Sequence, residues 1–342
     1  MCNVPEKSPP ECKAVAAAIA SAKSVLLTTH ARPDGDALGS VLALHLACVQ
    51  AGKTSTIFLL DEVPRRYQFL FRDAPLPPLP IDLNAAFAQA AGGVDRVVIL
   101  DTSSQGQLRA IAPALAKLRE KVIVLDHHQS GDDLAACAWR DASYSAAGGM
   151  VVDLLGELRW PITPALAEPL MTAIVTDTGW LHYSNTDART LHCVARLIEA
   201  GMKPDMLYGR LYQCDRPQRV RLLAAALDSL QLHADDRLAM LTLTLEDFTR
   251  TGASQDETED FASEPLRIGT VELAITLIEQ GGGEIRANLR SRGVVDVAAM
   301  ARLFGGGGHA RAAGFRSKES MATLKSRLLE LGQTALAATG SL

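Results

Sequence analysis

A chain of 342 residues exceeds one minimal fold and matches two globular domains. Hydrophobic residues make up 48% and charged residues 21%, enough apolar material for packed cores, which excludes disorder as the main state. Lys and Arg total 34 against 39 Asp and Glu, so at a formal charge of −5 the chain lacks the electrostatic footprint of a long-duplex DNA binder. A nucleic-acid partner has to be short or held locally.

Met1 to Lys13 carries three prolines with Glu and Lys and no continuous apolar core, so it reads as a ragged start and not as a signal peptide. No apolar stretch approaches the ~20 residues a bilayer requires, which predicts no membrane partner and a cytoplasmic chain. Six cysteines (Cys2, Cys12, Cys48, Cys137, Cys193, Cys214) are scattered without a CxxC pair and indicate neither a disulfide framework nor a zinc-thiolate site.

From residue 24 to 126 short β-branched or apolar runs alternate with helical stretches, the pattern of an α/β domain with a parallel sheet and crossover helices. The strands are Ser24 to Thr29, Thr54 to Leu59, Arg96 to Leu100 and Lys121 to Leu125, with a helix at Ala37 to Ala51 stopped by Gly52. Helical pattern runs from Ala147 to about Leu232, including Pro164 to Val175 and Leu191 to Ala200, and carries the chain out of the first domain. After His233 come strands at Arg237 to Leu245, Val271 to Glu279 and Glu284 to Arg290, then a helix at Val297 to Phe304: a smaller, mixed α/β domain. The expected boundaries are 1–205, a helical connector 206–233, and 234–342. Ser254 to Glu264 reads as an exposed loop and Gly281 to Gly283 as a hairpin turn.

The first strand runs into His30-Ala31-Arg32-Pro33-Asp34-Gly35-Asp36, a His and two Asp within seven residues at a strand's carboxyl end. Such a loop either feeds two metal ions or is a polar turn whose Asp caps the following helix. The third strand ends in Asp101 and the fourth in Asp126-His127-His128. Ligands of an open α/β sheet gather outside the carboxyl ends of its strands, so these residues are expected to converge. Asp177, between an apolar run and Gly179, is a further member. The set holds nitrogen and oxygen but no sulfur, which suits manganese or magnesium over a structural zinc, with imidazole favouring manganese. Two such ions ~3.5 to 4 Å apart suit displacement at phosphorus, hence phosphoester hydrolysis.

Gly305-Gly306-Gly307-Gly308-His309 reads either as a flexible linker or as backbone that cradles an anion; the small, apolar Ala312-Ala313-Gly314-Phe315 behind it favours a packed setting. Arg290-Ser291-Arg292, at a strand end, offers forked donors suited to phosphate, or is simply solvated.

In order, HARPDGDALGS, LDTS, LDHH, TDTGWLHYSNT, LRSRG and GGGGHARAAGF resemble the DHH phosphoesterase superfamily, in the branch with a DHH-associated C-terminal domain, and within it the stand-alone oligoribonuclease and pAp phosphatase proteins. The resemblance covers nearly the whole chain. It implies one metal site from His30, Asp34 and Asp101 and a second from Asp36, Asp101, His127 and Asp177, with Asp101 bridging. It further implies that His128 faces the scissile phosphate, that Asp126 orients the cluster from behind, and that Arg290, Ser291 and the loop Gly305, Gly306, Gly307, Gly308, His309 bind the rest of the nucleotide, with the cleft between the domains. The implied cofactors are two divalent ions, manganese, with magnesium or cobalt as alternatives. The implied activity is degradation of very short RNA to mononucleotides and removal of the 3'-phosphate from adenosine 3',5'-bisphosphate (pAp). Alternatives are a phosphodiesterase for cyclic di-AMP or its linear dinucleotide, and a catalytically inactive nucleotide-binding regulator. Inorganic pyrophosphatases share the first-domain ligands but lack GGGGH. The implied partners are short RNA or DNA oligonucleotides, pAp and cyclic dinucleotides, with a homodimer allowed. Two departures from the family pattern, Gln129-Ser130-Gly131 and Ala147-Gly148-Gly149, are expected to bear on substrate choice without touching a metal ligand.

Overall fold

The computed structural model describes residues 8–73, 75–76 and 78–338. The N-terminal reading falls partly outside them, and its described end enters a helix at Pro10. The chain divides into two compact units, Met1–Cys214 and Asp215–Leu342, a break inside the segment read as a connector. Among the described residues no helix is long and apolar enough to cross a membrane.

The first unit comprises α1 (Pro10–Ser21), β1 (Ser24–Thr28), α2 (Gly35–Gln50), β2 (Thr54–Phe58), α3 (Leu83–Gly92), β3 (Arg96–Leu100), α4 (Ala112–Leu115), β4 (Val122–Asp126), β5 (Cys137–Arg140), α5 (Ala147–Glu157), α6 (Pro164–Asp177), α7 (Ala188–Glu199) and α8 (Pro204–Tyr212). Its sheet is parallel throughout, in the order β2-β1-β3-β4-β5. β1, β3 and β4 are continuous apolar runs because both of their faces are covered. Val25, Leu27, Val98 and Leu100 pack under α1, α2, α5 and α6, while Leu26, Val97 and Ile99 point the other way onto α3 and α4. The chain order reverses between β1 and β3, and that switch point opens a crevice at the strands' carboxyl ends. β5 escapes sequence reading because only Trp139 of its four residues is buried.

Helices α2 and α6 set the width of that crevice, since α2 begins beside it and α6 ends there. They touch along Gly39, where a Cβ would meet Pro169 O and stand 2.9 Å from Ala173 N. Gly39→Ala is therefore expected to cost about 1 to 3 kcal/mol through overpacking. Gly92→Ala, where a Cβ meets nothing within 4 Å, serves as control, and urea midpoints of the two variants check the difference.

The second unit comprises α9 (Pro217–Asp228), β6 (Gln231–His233), β7 (Leu238–Leu243), α10 (Leu245–Thr251), β8 (Leu273–Gln280), β9 (Glu284–Ser291), α11 (Val297–Arg302), β10 (Gly307–His309), β11 (Ala312–Ser317) and α12 (Met321–Ala338). Its mixed sheet runs β10-β11-β9-β8-β7-β6, with β7 and β8 parallel and the other pairs antiparallel. α11 and α12 cover one face, α9 and α10 part of the other. Gly281–Gly283 is the expected hairpin turn, with Gln280 paired to Glu284.

Two expectations need correction, and one open reading is decided. The helical pattern does not reach Leu232, because Gln231–His233 pairs with β7 as a strand. Ser254 to Glu264 is not simply an exposed loop. It forms short 3-10 turns in which Phe261 is 1% exposed and Glu257 pairs with Arg216 at 2.6 Å. The acid-rich composition concealed a single aromatic anchor. Of the readings open for the glycine run, the linker is excluded at its end and the packed setting holds, since Gly307–His309 pairs with β11.

Candidate active site

Every candidate ligand of the first unit except Asp36 and Asp177 comes from a strand's carboxyl end or the turn after it. Thr29 Oγ1 donates to Leu100 O at 2.8 Å and ties the end of β1 to that of β3. His30 places Nδ1 2.9 Å from Ala31 O, which leaves Nε2 facing Asp101 Oδ2 at 3.4 Å. Asp101 follows β3 with a φ of 61°, a left-handed conformation that costs a non-glycine residue about 1 kcal/mol or more. It is 2% exposed, and its Oδ1 has no hydrogen-bond partner. A strained backbone and a buried carboxylate oxygen without a hydrogen bond, facing His127 Nε2 at 3.3 Å, call on one residue for something that packing does not supply.

Asp34 caps α2, its Oδ1 accepting from Ala37 N at 3.0 Å, so the capping role read for this loop is real. It also lies with His30 and Asp101 in a group whose ligand atoms all fall within 4.8 Å of one another. Asp36, in the first turn of α2 and 1% exposed, accepts from Ala147 N at 2.6 Å, Gly148 N at 2.8 Å and Ser40 Oγ at 3.1 Å. The N-terminus of α5 thus clasps Asp36, which corrects the expectation that the Ala147-Gly148-Gly149 departure touches no candidate ligand. The contact is made by backbone N–H groups, which side-chain identity does not reveal. Gly148 allows the approach, as a Cβ there would stand 2.5 Å from that of Ala173.

His127 sits at the centre. Its Nδ1 faces Tyr144 O at 3.3 Å, while Nε2 lies 3.3 Å from Asp101, 3.5 Å from Asp36 and 3.6 Å from Asp177. Asp36, His127 and Asp177 form a second compact group, and Asp101, His127 and His128 a third. Asp177 closes α6, and Asn185 Nδ2 donates to its carbonyl at 3.1 Å and to Ser145 O at 3.2 Å. His128, 43% exposed at its side chain, is held through Nδ1 by Asp126 Oδ1 at 2.8 Å, which turns Nε2 outward. The fully buried Asp126 accepts also from Ser103 Oγ at 2.5 Å. Sequence reasoning passed over Asn185 and Ser103, although both lie within the quoted motifs TDTGWLHYSNT and LDTS.

The electrostatics ask for positive charge. Burial first, and then Asp101 and Asp177, push Asp36 well above the usual carboxylate range. Burial, with Asp101 and Asp34 adding, pushes Asp177 up to about 6, and burial and Asp101 raise Asp34 too. Burial opposes ionisation of Asp101, yet His127 and His30 hold it down at about 2. Burial likewise opposes charge on His127, but Asp101, Asp36 and Asp177 raise it to about 10. Asp34, Asp36 and Asp177 are pushed towards holding protons and the ionised Asp101 keeps them on the imidazoles, unless a cation replaces them. An all-oxygen-and-nitrogen donor set around a buried carboxylate oxygen that makes no hydrogen bond fits hard or borderline divalent ions.

The substrate residues expected from the C-terminal motifs lie in the second unit. Arg290 is half-buried on β9, and His309 is exposed on β10. Ser291 is buried with its Oγ accepting from Gly293 N at 2.9 Å and Val295 N at 3.2 Å, so it builds the turn after β9. Gly305 follows α11 with a φ of 75°, and Gly306 N donates to Ala301 O at 2.9 Å.

A parallel sheet whose carboxyl edge gathers four aspartates and three histidines, joined to a mixed-sheet unit, defines the class: an α/β phosphoesterase built for divalent cations. Residues 24–174 match the N-terminal domain of the DHH family and residues 237–337 match the DHHA1 domain, and the chain belongs to this family. It is 30% identical over 294 residues to the bifunctional oligoribonuclease and PAP phosphatase NrnA of Thermus thermophilus, covering 85% of this chain and 83% of that protein. To the protein of the same name from Bacillus subtilis it is 25% identical over 295 residues, 85% of this chain and 88% of the other. Among solved structures, an exopolyphosphatase-related protein from Bacteroides fragilis shares the fold with a TM-score of 0.89 at 22% identity, covering 98% of this chain and 99% of that one.

Proposed function

We propose that this protein hydrolyses phosphoesters in short nucleotides, degrading oligoribonucleotides of a few residues to mononucleotides and converting pAp to AMP. The observation that carries the reading is the cluster of carboxylates and imidazoles around the buried Asp101, in a chain similar over most of its length to proteins named for both activities.

In this reading His30, Asp34 and Asp101 hold one divalent ion and Asp36, Asp101, His127 and Asp177 a second, with Asp101 shared. Such a pair supplies a water of lowered pKa and neutralises charge on phosphoryl oxygens. The imidazoles in both sets favour manganese. His128, oriented by Asp126 through Nδ1, presents Nε2 to the phosphoryl group and stabilises charge that develops there. Arg290 and His309 bind the non-scissile phosphate or the terminal nucleotide. Ser291 supports them through its turn.

The deciding experiment offers pAp, a dinucleotide, a long single-stranded RNA and cyclic di-AMP side by side to the manganese-loaded protein. Phosphate from pAp and mononucleotides from the dinucleotide are expected to be released fastest; preferential opening of cyclic di-AMP would replace this reading by the cyclic-dinucleotide one. Arg290→Ala is expected to raise KM for pAp and dinucleotides about 10- to 100-fold, the loss of a charge-assisted contact, with little change towards a small generic phosphodiester. Equal losses on both substrate types would assign Arg290 to the fold.

A further inference from the structure

The second unit carries a pair of polar side chains that its own fold leaves unsatisfied. β9 alternates: Ile285, Ala287 and Leu289 enter the core under α11 and α12, and Arg286, Asn288 and Arg290 face the other way. Asn288 stands directly opposite Thr276 of β8 on one side and Gly314 of β11 on the other. Residues directly opposite in a ladder share a face, so Thr276, Asn288 and Gly314 form one row, and Arg290, Ala312 and His309 form the next. Thr276 is completely buried, and its Oγ1 has no hydrogen-bond partner. The Asn288 side chain, half-buried beside it, makes no hydrogen bond among the described residues. Gly314 lets β11 lie close against β9, since a Cβ there would stand 2.9 Å from Ala287 O and 3.5 Å from Asn288 Oδ1. A buried hydroxyl and an adjacent amide left unpaired together are uncommon unless a ligand or ordered water completes them.

We propose that Asn288 is a specificity-determining residue whose amide reads the edge of the nucleobase, with Thr276 opposite it on the same face of the sheet. The base is adenine: an amide presents a donor and an acceptor side by side, the complement of adenine's exocyclic amine and neighbouring ring nitrogen. Arg290 and His309, one row along the same face, are placed for the phosphate of the same nucleotide. The inference rests on the reading of this protein as a short-nucleotide hydrolase and adds the base preference within it.

The test is calorimetric binding of AMP, GMP, UMP and ribose 5-phosphate to the full manganese-loaded chain, with kcat/KM on pAp, pGp and pUp beside it. The wild type is expected to favour adenine. Asn288→Ala should weaken AMP about tenfold or more, leave ribose 5-phosphate as it was, and so erase the preference. Asn288→Asp keeps the shape but replaces the donor by an acceptor, and should lose AMP in the same way; it carries the test if the Ala variant unfolds. Thr276→Val should lose part of the preference. A wild type that binds the three nucleotides equally, or an Asn288→Ala protein weakened equally for all four ligands, overturns the assignment while pAp hydrolysis stands. A wild type that binds no nucleotide and releases no phosphate from pAp removes the functional reading itself, and the base assignment with it.

Discussion

Asp101→Ala is expected to bring loss of bound divalent cation and loss of phosphoester hydrolysis together. Asp101, like His127, is shared by two of the three candidate ligand groups, and its Oδ1 makes no hydrogen bond although it faces His127 Nε2 at 3.3 Å. Its removal takes a ligand from both proposed sites at once and leaves His30 and His127 without the acid each faces at 3.4 and 3.3 Å. A helix cap in its place would cost only about 1 kcal/mol of stability and no chemistry. Metal content of the purified variant and phosphate release from pAp are the measurements. A folded Asp101→Ala protein that keeps half its activity on any phosphoester would end the two-ion assignment.

The adjacent histidines should separate. His128→Ala is expected to retain its metal and lose about 100-fold or more in kcat, because its Nε2 is turned away from Asp126 and, in the proposed reading, serves the transition state. His127→Ala should weaken metal binding first, since its Nε2 lies among three carboxylates. Metal titration of both variants, read beside kcat, decides the matter, and the reverse pattern would exchange their roles.

Much of this was legible beforehand, and for a physical reason. β1, β3 and β4 are buried on both faces, so their sequences are unbroken apolar runs whose ends fall within a residue of the observed ones, and the polar residue after each run marks the sheet's carboxyl edge. His30, Asp101 and His127 could therefore be brought together without coordinates. What composition does not encode is what the backbone does. The grip of Ala147 and Gly148 on Asp36 uses N–H groups that any residue but proline supplies. Asn185 acts on carbonyls, and Ser103 acts on an aspartate 23 residues away. β5 and β10 are short strands that bury little, Trp139 alone among their residues, and are held by pairing to a stronger neighbour, which a one-dimensional pattern does not show.

The clasp on Asp36 has a consequence for how the protein is made. Its two donors come from residues 111 and 112 positions further along the chain. A nascent chain that has completed β1, α2 and even β4 holds His30, Asp34 and His127, but Asp36 lacks the amides that fix it until α5 docks. Assembly of the cation site and completion of the first unit's fold are then one cooperative event. Because binding free energy at a site absent from the unfolded chain is folding free energy, ions captured at that moment favour the finished unit over its precursors.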